Sequence, residues 1–556
     1  MNTQWLKHKR EIVIGILLVG GLVWFAGQYK EQAAPMVFSV DTTGLPEAVS
    51  MPVVELKDGA TYDLVAEVVQ KKINGKEFKM LAYNRSIPGP LITVAQGSEI
   101  TVNLMNKTDV ETTLHPHGVR VDNAFDGIPD VTQEVIPVGG MFTYRLKFPD
   151  AGMYWYHPHV REDYAQELGL YGNFLVTPAE ASYWAPANRE VPIVLDDILI
   201  ENGQIAPFYK DETTHTLMGR FGNTMLINGE TEYGLDVQRG EVVRFFVTNA
   251  ANTRTFMITI PGAKMKLVGS DGGKYEQETF VDSVIISPSE RATIDVLFED
   301  AGAYALQHTT PFRTYTLGIV QVSNQTVSPS YTTQFAVPRV NEDIRLELAA
   351  LRPLFTKAAD KRLRIGIDMG TMHMMEGAGN HKMSSGLLGQ EALAQMSDPA
   401  MGPGQHMMPD GGMMNNSIMM GSGEPVEWED NMPAMNSNST TASVQWRLID
   451  EDTGQSNMDI DWGFKQGDKV KIQVTNDAHS MHPMQHPIHL HGQRFVVVST
   501  NGVPNDNLVW KDTVLIQTGD TVELLVDMIN PGQWMLHCHI AEHLEDGMML
   551  LFAVIP

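Results

Sequence analysis

Three stretches of the chain resemble one another, and this repeat constrains the fold more than any other feature. Each begins with a glycine and a polar residue and continues as a β-rich run: residues 97–104, 240–245 and 467–474. A repeated turn that opens a strand indicates copies of one β-sandwich domain. The sequence between these stretches consists of short β-rich runs separated by Gly, Pro, Asn and Asp, with little helical periodicity. We therefore predict an all-β chain of three β-sandwich domains, at 50–182, 188–328 and 340–556.

The N-terminal 30 residues differ from this pattern. Lys7, Lys9 and Arg10 precede a charge-free apolar run at 12–26, which is the pattern of an export signal or a membrane anchor. No small-x-small cleavage site follows this run. We therefore predict that residues 11–29 form a membrane anchor and are not removed as a signal peptide. The prediction is a protein outside the cytoplasm, in the periplasm or on the outer face of the cytoplasmic membrane, with a linker at 31–49.

The net charge is −27 and the pI is near 5.0. An acidic surface argues against nucleic acid as a partner and suits attraction of cations.

A methionine-rich insert interrupts the third predicted domain at 369–435. It contains thirteen methionines between Met369 and Met420, among many Gly, Pro, Ser and Asn residues. One interpretation is a low-complexity surface loop. The other is a set of thioether ligands, which are soft and select Cu(I). The candidate ligands in the insert are Met372, Met374, Met375, Met407, Met408, Met413 and Met414.

The chain has a single cysteine, Cys538, in the sequence His-Cys-His-Ile-Ala-Glu-His-Leu-Glu-Asp-Gly-Met. A thiolate, two imidazoles and a weak thioether are the ligands of a blue electron-transfer copper. Cys538, His543 and Met548 supply three of these four groups. If the stretch is a strand, His537 and His539 point to the face opposite Cys538, so two metal centres would lie on either side of it.

Four His-x-His units occur in the first and third predicted domains, and the middle one has none. Their members are His115, His117, His157, His159, His489, His491, His537 and His539. Eight imidazoles suit a multinuclear copper site that handles dioxygen better than a structural zinc, which needs four ligands. His486 lies an odd number of residues before His489 and so faces away from that pair on a strand. It is the predicted fourth ligand for the copper at Cys538.

With these motifs in place, the chain resembles the multicopper oxidases. The resemblance rests on Leu-His-Pro-His-Gly at 114–118, Tyr-Trp-Tyr-His-Pro-His at 154–159, His-Pro-Ile-His-Leu-His-Gly at 486–492 and the terminal stretch 537–548. It implies three cupredoxin-like Greek-key domains and four copper ions. The type 1 copper would be held by His486, Cys538, His543 and axial Met548, and the type 2 copper by His115 and His489. The type 3 pair would be held by His117, His157, His159, His491, His537 and His539.

The resemblance also implies a mechanism. Substrate would be oxidised one electron at a time at the type 1 copper, electrons would leave through Cys538, and dioxygen would be reduced to water. Asp126 matches the family's acidic residue near the type 2 copper and is a predicted proton relay. The alternative is an ordinary Asp-Gly turn residue.

The donor is the most open prediction. The methionine-rich insert resembles that of copper-efflux oxidases, which oxidise Cu(I), and Met484 is a further candidate contact for that ion. Pro116 and Leu544 depart from common family residues. Oxidation of phenols, as in laccases, or of Fe(II) is the alternative within the class, and copper sequestration without turnover is the alternative outside it.

Overall fold

The computed structural model describes residues 36–369, 405–407, 413–415 and 424–556. The predicted anchor at 11–29 lies outside these residues, as do Met372, Met374, Met375 and Met408. Within the described ranges, no helix is both long and apolar enough to cross a membrane.

The first sandwich is formed by a five-stranded sheet, β1-β4-β9-β8-β6, and a four-stranded sheet, β3-β2-β5-β7. A short helix, α1 (Glu162–Ala165), follows β8. The strands are β1 (Val53–Glu55), β2 (Thr61–Ile73), β3 (Lys76–Tyr83), β4 (Leu91–Ala95), β5 (Glu99–Lys107), β6 (His115–His117), β7 (Met141–Lys147), β8 (Gly152–His157) and β9 (Gly172–Thr177).

The middle sandwich has a six-stranded sheet, β13-β10-β15-β20-β17-β18, and a five-stranded sheet, β14-β22-β21-β16-β19, with β11 and β12 as a separate pair. Its strands are β10 (Arg189–Ile198), β11 (Ile200–Glu201), β12 (Gln204–Ile205), β13 (Thr224–Ile227), β14 (Tyr233–Arg239), β15 (Glu241–Asn249), β16 (Phe256–Thr259), β17 (Lys264–Ser270), β18 (Gly273–Val281), β19 (Val284–Ile286), β20 (Arg291–Phe298), β21 (Gly302–Thr309) and β22 (Thr314–Thr326).

The third sandwich pairs the sheets β26-β23-β28-β33-β30-β31 and β27-β35-β34-β29-β32. Helices α2 (Thr332–Phe335) and α3 (Glu342–Ala349) lead into it, and α4 (Pro433–Ser437) and α5 (Ala541–Glu545) lie within it. Its strands are β23 (Lys361–Met369), β24 (Gln405–Met407), β25 (Met413–Asn415), β26 (Val444–Asp450), β27 (Trp462–Lys465), β28 (Lys469–Asn476), β29 (His486–Leu490), β30 (Arg494–Thr500), β31 (Val503–Pro504), β32 (Thr513–Ile516), β33 (Thr521–Asp527), β34 (Gly532–Cys538) and β35 (Met549–Ile555).

The three repeated stretches occupy equivalent positions. Gly97, Gly240 and Gly467 all have positive φ, a conformation that glycine adopts without steric cost. The strands that follow them, β5, β15 and β28, each have one parallel and one antiparallel neighbour in their sheet. The predicted all-β fold of three cupredoxin-like sandwiches is confirmed.

Each sandwich has its own buried apolar core between its two sheets. The core of the third sandwich includes Cys538, Met548 and Met484, all with no measurable exposure. This sandwich therefore holds sulfur-bearing side chains in a water-free interior.

Candidate metal centres

The first candidate centre forms around Cys538, the last residue of β34. Strand β29 pairs with β34 so that Ile488 lies opposite Cys538, which places His486 two residues along the same strand. The Sγ of Cys538 lies 3.5 Å from His486 Nδ1 and 3.7 Å from His543 Nδ1. Helix α5 carries His543, and its peptide N–H bonds to the Ile540 carbonyl. All three side chains are fully buried, and their ligand atoms fit one metal ion.

Burial sets the protonation of these groups. It raises the pKa of the Cys538 thiol and lowers the pKa of His486 to about 3, because a low-dielectric site disfavours charge. A neutral imidazole has a free lone pair, and a bound cation would stabilise the thiolate. The Nδ1 atoms of His486 and His543 both face the sulfur, which is the arrangement that a metal ion between them requires.

Met548 is joined to this centre through the backbone, and Trp446 packs against it. Met548 is fully buried, and its carbonyl accepts a hydrogen bond from the Cys538 peptide N–H at 3.1 Å. The Trp446 ring lies with its centroid 4.6 Å from those of both His486 and His543. Its Nε1 donates to the Thr216 carbonyl of the middle sandwich at 2.8 Å. Trp446 was not predicted from the sequence, since a lone tryptophan on a strand carries no metal signal.

The second candidate centre is a group of eight histidines between the first and third sandwiches. Strands β6 and β8 pair His115 with His157, and β29 and β34 pair His489 with His537. Only the His-x-His unit at 115–117 lies entirely on a strand. In the other three units the strand (β8, β29 or β34) ends before the second histidine, which is His159, His491 or His539. Sets of ligand atoms close enough to share an ion are His115/His117/His489, His117/His157/His539 and His159/His491/His537.

Backbone carbonyls fix the tautomers of four of these rings. The Nδ1 atoms of His115, His157, His489 and His537 lie 2.7 to 2.9 Å from carbonyl oxygens. A carbonyl only accepts hydrogen bonds, so each Nδ1 carries the proton and each Nε2 keeps its lone pair. Among the described residues, the Nε2 atoms of the first three have no hydrogen-bond partner although they are buried. Such orphaned acceptors are what a metal site provides.

Two of the rings fit a cation particularly well. The Nε2 atoms of His491 and His537 are 3.0 Å apart. The Nδ1 of His491 faces Asp126 Oδ2 at 2.9 Å, and that of His537 faces a carbonyl, so both Nδ1 atoms act as donors. Two lone pairs then face each other, an arrangement that is repulsive unless a cation lies beside them. The histidine group thus matches bound metal.

The His117 ring has the opposite orientation to the four rings whose Nδ1 faces a carbonyl, because its Nε2 is the atom that meets polar partners. Its Nε2 lies 3.2 Å from both Asp512 Oδ1 and Thr513 Oγ1, and its buried Nδ1 has no partner among the residues described. Asp512 and Thr513 come from the third sandwich, and no motif in the sequence predicts their contact with His117.

Besides Asp512, two further buried acids touch the histidine group. Asp126 lies in the turn that the sequence singled out, accepts from His491 through Oδ2, and accepts from His115 through its carbonyl. Glu162, in α1, lies 3.4 Å from His159 Nδ1 and 3.8 Å from His157 Nδ1, and burial raises its pKa. Glu162 was missed, although its position three residues after His159 is a usable signal.

The candidate Cu(I) ligands are only partly located. Met484 is fully buried, two residues before His486. Met407, Met413 and Met414 lie on the pair β24–β25, where Met407 is opposite Met413. His482, which is 2% exposed with an unpartnered Nε2 among the described residues, packs near Trp446. A role for His482 was not predicted from the sequence.

Known proteins resemble this chain over most of its length. Family profiles described as "Multicopper oxidase" match residues 65–181, 188–329 and 406–556. The copper resistance protein A homolog of Pseudomonas syringae pv. tomato is 25% identical over 88% of this chain and 91% of its own. Putative laccase-1 of Oryza sativa is 26% identical over 86% and 88%. A Campylobacter jejuni structure titled as a multicopper oxidase and metallo-oxidase has a TM-score of 0.63 at 22% identity, covering 95% of this chain and 98% of its own.

Proposed function

Because this chain belongs to the multicopper oxidase family, we propose that its two centres hold four copper ions in all. One ion would lie at His486, Cys538 and His543, with Met548 as the axial ligand. A second would lie at His115 and His489. The remaining pair would lie at the two histidine triplets His117/His157/His539 and His159/His491/His537.

One observation carries this proposal: Cys538 joins the two centres. Its Sγ belongs to the first centre, while its chain neighbours His537 and His539 belong to the second. The covalent path from one centre to the other is therefore only a few bonds long. Copper, when bound, supplies one-electron oxidation of a donor at the first centre and four-electron reduction of dioxygen at the second.

Protons for water formation must come from the chain. Asp126 is 1% exposed and is bonded to rings of two separate ligand sets through His115 and His491. In the proposed function, its Oδ1, which has no hydrogen-bond partner among the described residues, passes protons into the histidine group. His491 and His115 in turn are held in orientation by this residue.

We propose Cu(I) as the donor. Support comes from the buried thioether of Met484, two residues before His486 in the chain, from the methionine-rich insert, and from relatives named copper resistance proteins. A phenol is the second candidate, favoured by similarity to proteins named laccases. The first centre is fully buried, and this burial favours a small ion over a bulky phenol. Copper sequestration without turnover is the outcome if oxygen is not consumed.

The proposal includes the domain limits and the membrane attachment of the enzyme. Domain limits at 50–182, 188–328 and 340–556, with the insert at 369–435, are consistent with the sheets. The apolar run at 12–26 supports attachment by residues 11–29 at the outer face of the cytoplasmic membrane.

The test is copper counting together with oxygen uptake. The chain from residue 31 is loaded with copper, metal per chain is measured, and oxygen consumption is followed with Cu(I), Fe(II) and a phenol. We expect four ions per chain and the highest kcat/KM with Cu(I). Four ions with no uptake on any donor would leave sequestration, and preference for the phenol would overturn the proposed donor.

A further inference from the structure

The middle sandwich supplies none of the eight histidines, yet one of its arginines reaches them. Arg291 begins β20 and is 2% exposed. Its Nε donates to the Met153 carbonyl of the first sandwich at 3.1 Å. Its two Nη atoms donate to the carbonyls of Ser289 and Asp271, and both also bond to the carboxylate of Asp512. All five donors are used, so the guanidinium is fixed among three sandwiches.

The carboxylate of Asp512 continues the contact to the copper site. Its Oδ1 lies 2.7 Å from Arg291 Nη1 and 3.2 Å from His117 Nε2. Both oxygens of this carboxylate accept hydrogen bonds from the guanidinium of Arg291, so Asp512 acts as the acceptor toward His117 as well. The proton of His117 must then lie on Nε2, which leaves the Nδ1 lone pair facing the other histidines. The carbonyl of the same residue orients His489 through Nδ1 at 2.9 Å.

Gly118 provides independent support for this arrangement. A Cβ at this position would lie 2.3 Å from Asp512 Oδ2 and 2.6 Å from Arg291 Nη2, and the φ of Gly118 is +78°. Only glycine after His117 therefore leaves room for the Arg291–Asp512 pair to lie directly against this ligand.

We propose that Arg291 is a positioning residue for the copper site: through Asp512 it fixes the inverted tautomer of His117, so that Nδ1 is the ligand atom. The inference rests on the proposed function. It gives the middle sandwich a part in the site. Its Arg291 holds Asp512 of the third sandwich, and Asp512 in turn orients His117 of the first sandwich.

The test compares two buried arginines of the middle sandwich. Arg244 is also 2% exposed and also holds an aspartate in two places, with Nε and Nη2 at 2.8 and 2.9 Å from Asp295. Arg291→Gln and Arg244→Gln therefore remove equivalent ion pairs, but only the first faces the histidines. The full chain is loaded with copper, and three quantities are measured on the folded fraction: copper per chain, the blue absorption of the Cys538 centre, and the paramagnetic resonance signal of the histidine-bound copper.

We expect Arg291→Gln to weaken copper binding at the histidine group about 10- to 100-fold while the blue absorption is kept, and Arg244→Gln to leave both unchanged. Asp512→Asn, which keeps its shape and still accepts from Arg291, should give the same selective loss because its amide can donate to His117 Nε2. Equal copper loss in both arginine variants, or full copper in Arg291→Gln and Asp512→Asn, would overturn the inference. Failure of the proposed function is distinguishable, since it would appear in the unsubstituted chain.

Discussion

At the scale of single residues, burial keeps the candidate ligands of the chain neutral. The pKa of the Cys538 thiol is raised and those of the histidines around it are lowered by loss of hydration. In the absence of a cation this leaves a thiol and free imidazole lone pairs, which are ready to bind once the thiol proton leaves. The sulfur is the one group at the first centre that must lose a proton.

Replacing the sulfur isolates its role. Cys538→Ser offers a harder oxygen ligand, and we expect loss of the blue absorption, loss of turnover with every donor, and about one copper fewer per chain. Absorption spectra, oxygen uptake and metal analysis check this. Met548→Leu is the control, because it keeps the thiolate and should stay blue. A blue and active serine variant would contradict the assignment of Cys538.

His308, in the middle sandwich, is a residue with a predictable pH effect. Its Nδ1 accepts from the Met257 peptide N–H at 3.0 Å, and burial lowers its pKa to about 3. The unfolded chain binds a proton near pH 6.5 and the folded chain does not, so stability is full above pH 6.5 and falls as pH falls toward 3.

We expect His308→Gln to reduce this loss by up to about 1.4 kcal/mol per pH unit between pH 6 and 4. Gln keeps an acceptor for Met257, and comparison of the two chains cancels the effect of the other histidines. The free energy of unfolding in urea, measured at several pH values on copper-loaded protein, provides the test. Parallel pH profiles for the two chains would refute it.

At the scale of elements, the strand pairs β6–β8 and β29–β34 position the first histidine of each His-x-His unit. Strand parity at 486–491 separates His486 from His489, and this much was predictable from spacing alone. The structure adds that three of the four His-x-His units pass the end of their strand, so the second ring is placed by a loop. Spacing carries no information on such loops.

The last part of the insert, from residue 424 onward, contacts residues next to the first centre. The peptide N–H and carbonyl of Glu427 both bond to the side chain of Gln485, next to His486, at 2.7 and 3.1 Å. Arg254 of the middle sandwich donates to the Trp428 carbonyl at 2.7 Å. At the other end, Met369 pairs with Val444 in the sheet. Removing all of 369–435 would therefore break contacts that hold the third sandwich.

A deletion limited to 370–423, closed by a short Gly-Ser linker, separates the insert from those contacts. We expect kcat/KM with Cu(I) to fall about 10-fold or more, since soft ligands for the ion are lost, while kcat/KM with a bulky phenol is kept or raised. The unfolding temperature serves as the control and should stay close to that of the full chain. Unchanged Cu(I) oxidation would mean that the insert is only a connection.

At the scale of the whole molecule, the histidine group exists only where the first and third sandwiches meet. His115, His117, His157 and His159 come from one and His489, His491, His537 and His539 from the other. The motifs predicted which histidines come together, because each motif is local. Arg291, Asp512 and Trp446 were not predictable, because their roles arise from contacts between sandwiches that are distant in sequence and that no local pattern encodes.

The charge of the molecule acts on the same scale. With a net charge of −27, the surface attracts cations and repels anions over about a Debye length. We expect kcat/KM for a cationic outer-sphere donor, hexaammineruthenium(II), to fall about 10-fold or more as ionic strength rises from about 0.01 to 0.5 M. That for the anion ferrocyanide should rise, and that for a neutral phenol should stay nearly constant, which makes it the control for salt effects on the enzyme itself. Initial rates of oxygen uptake at limiting donor provide the measurement. If all three donors respond to salt in parallel, the acidic surface has no part in selecting the donor, and the proposed preference for a copper cation must come from the buried candidate ligands alone.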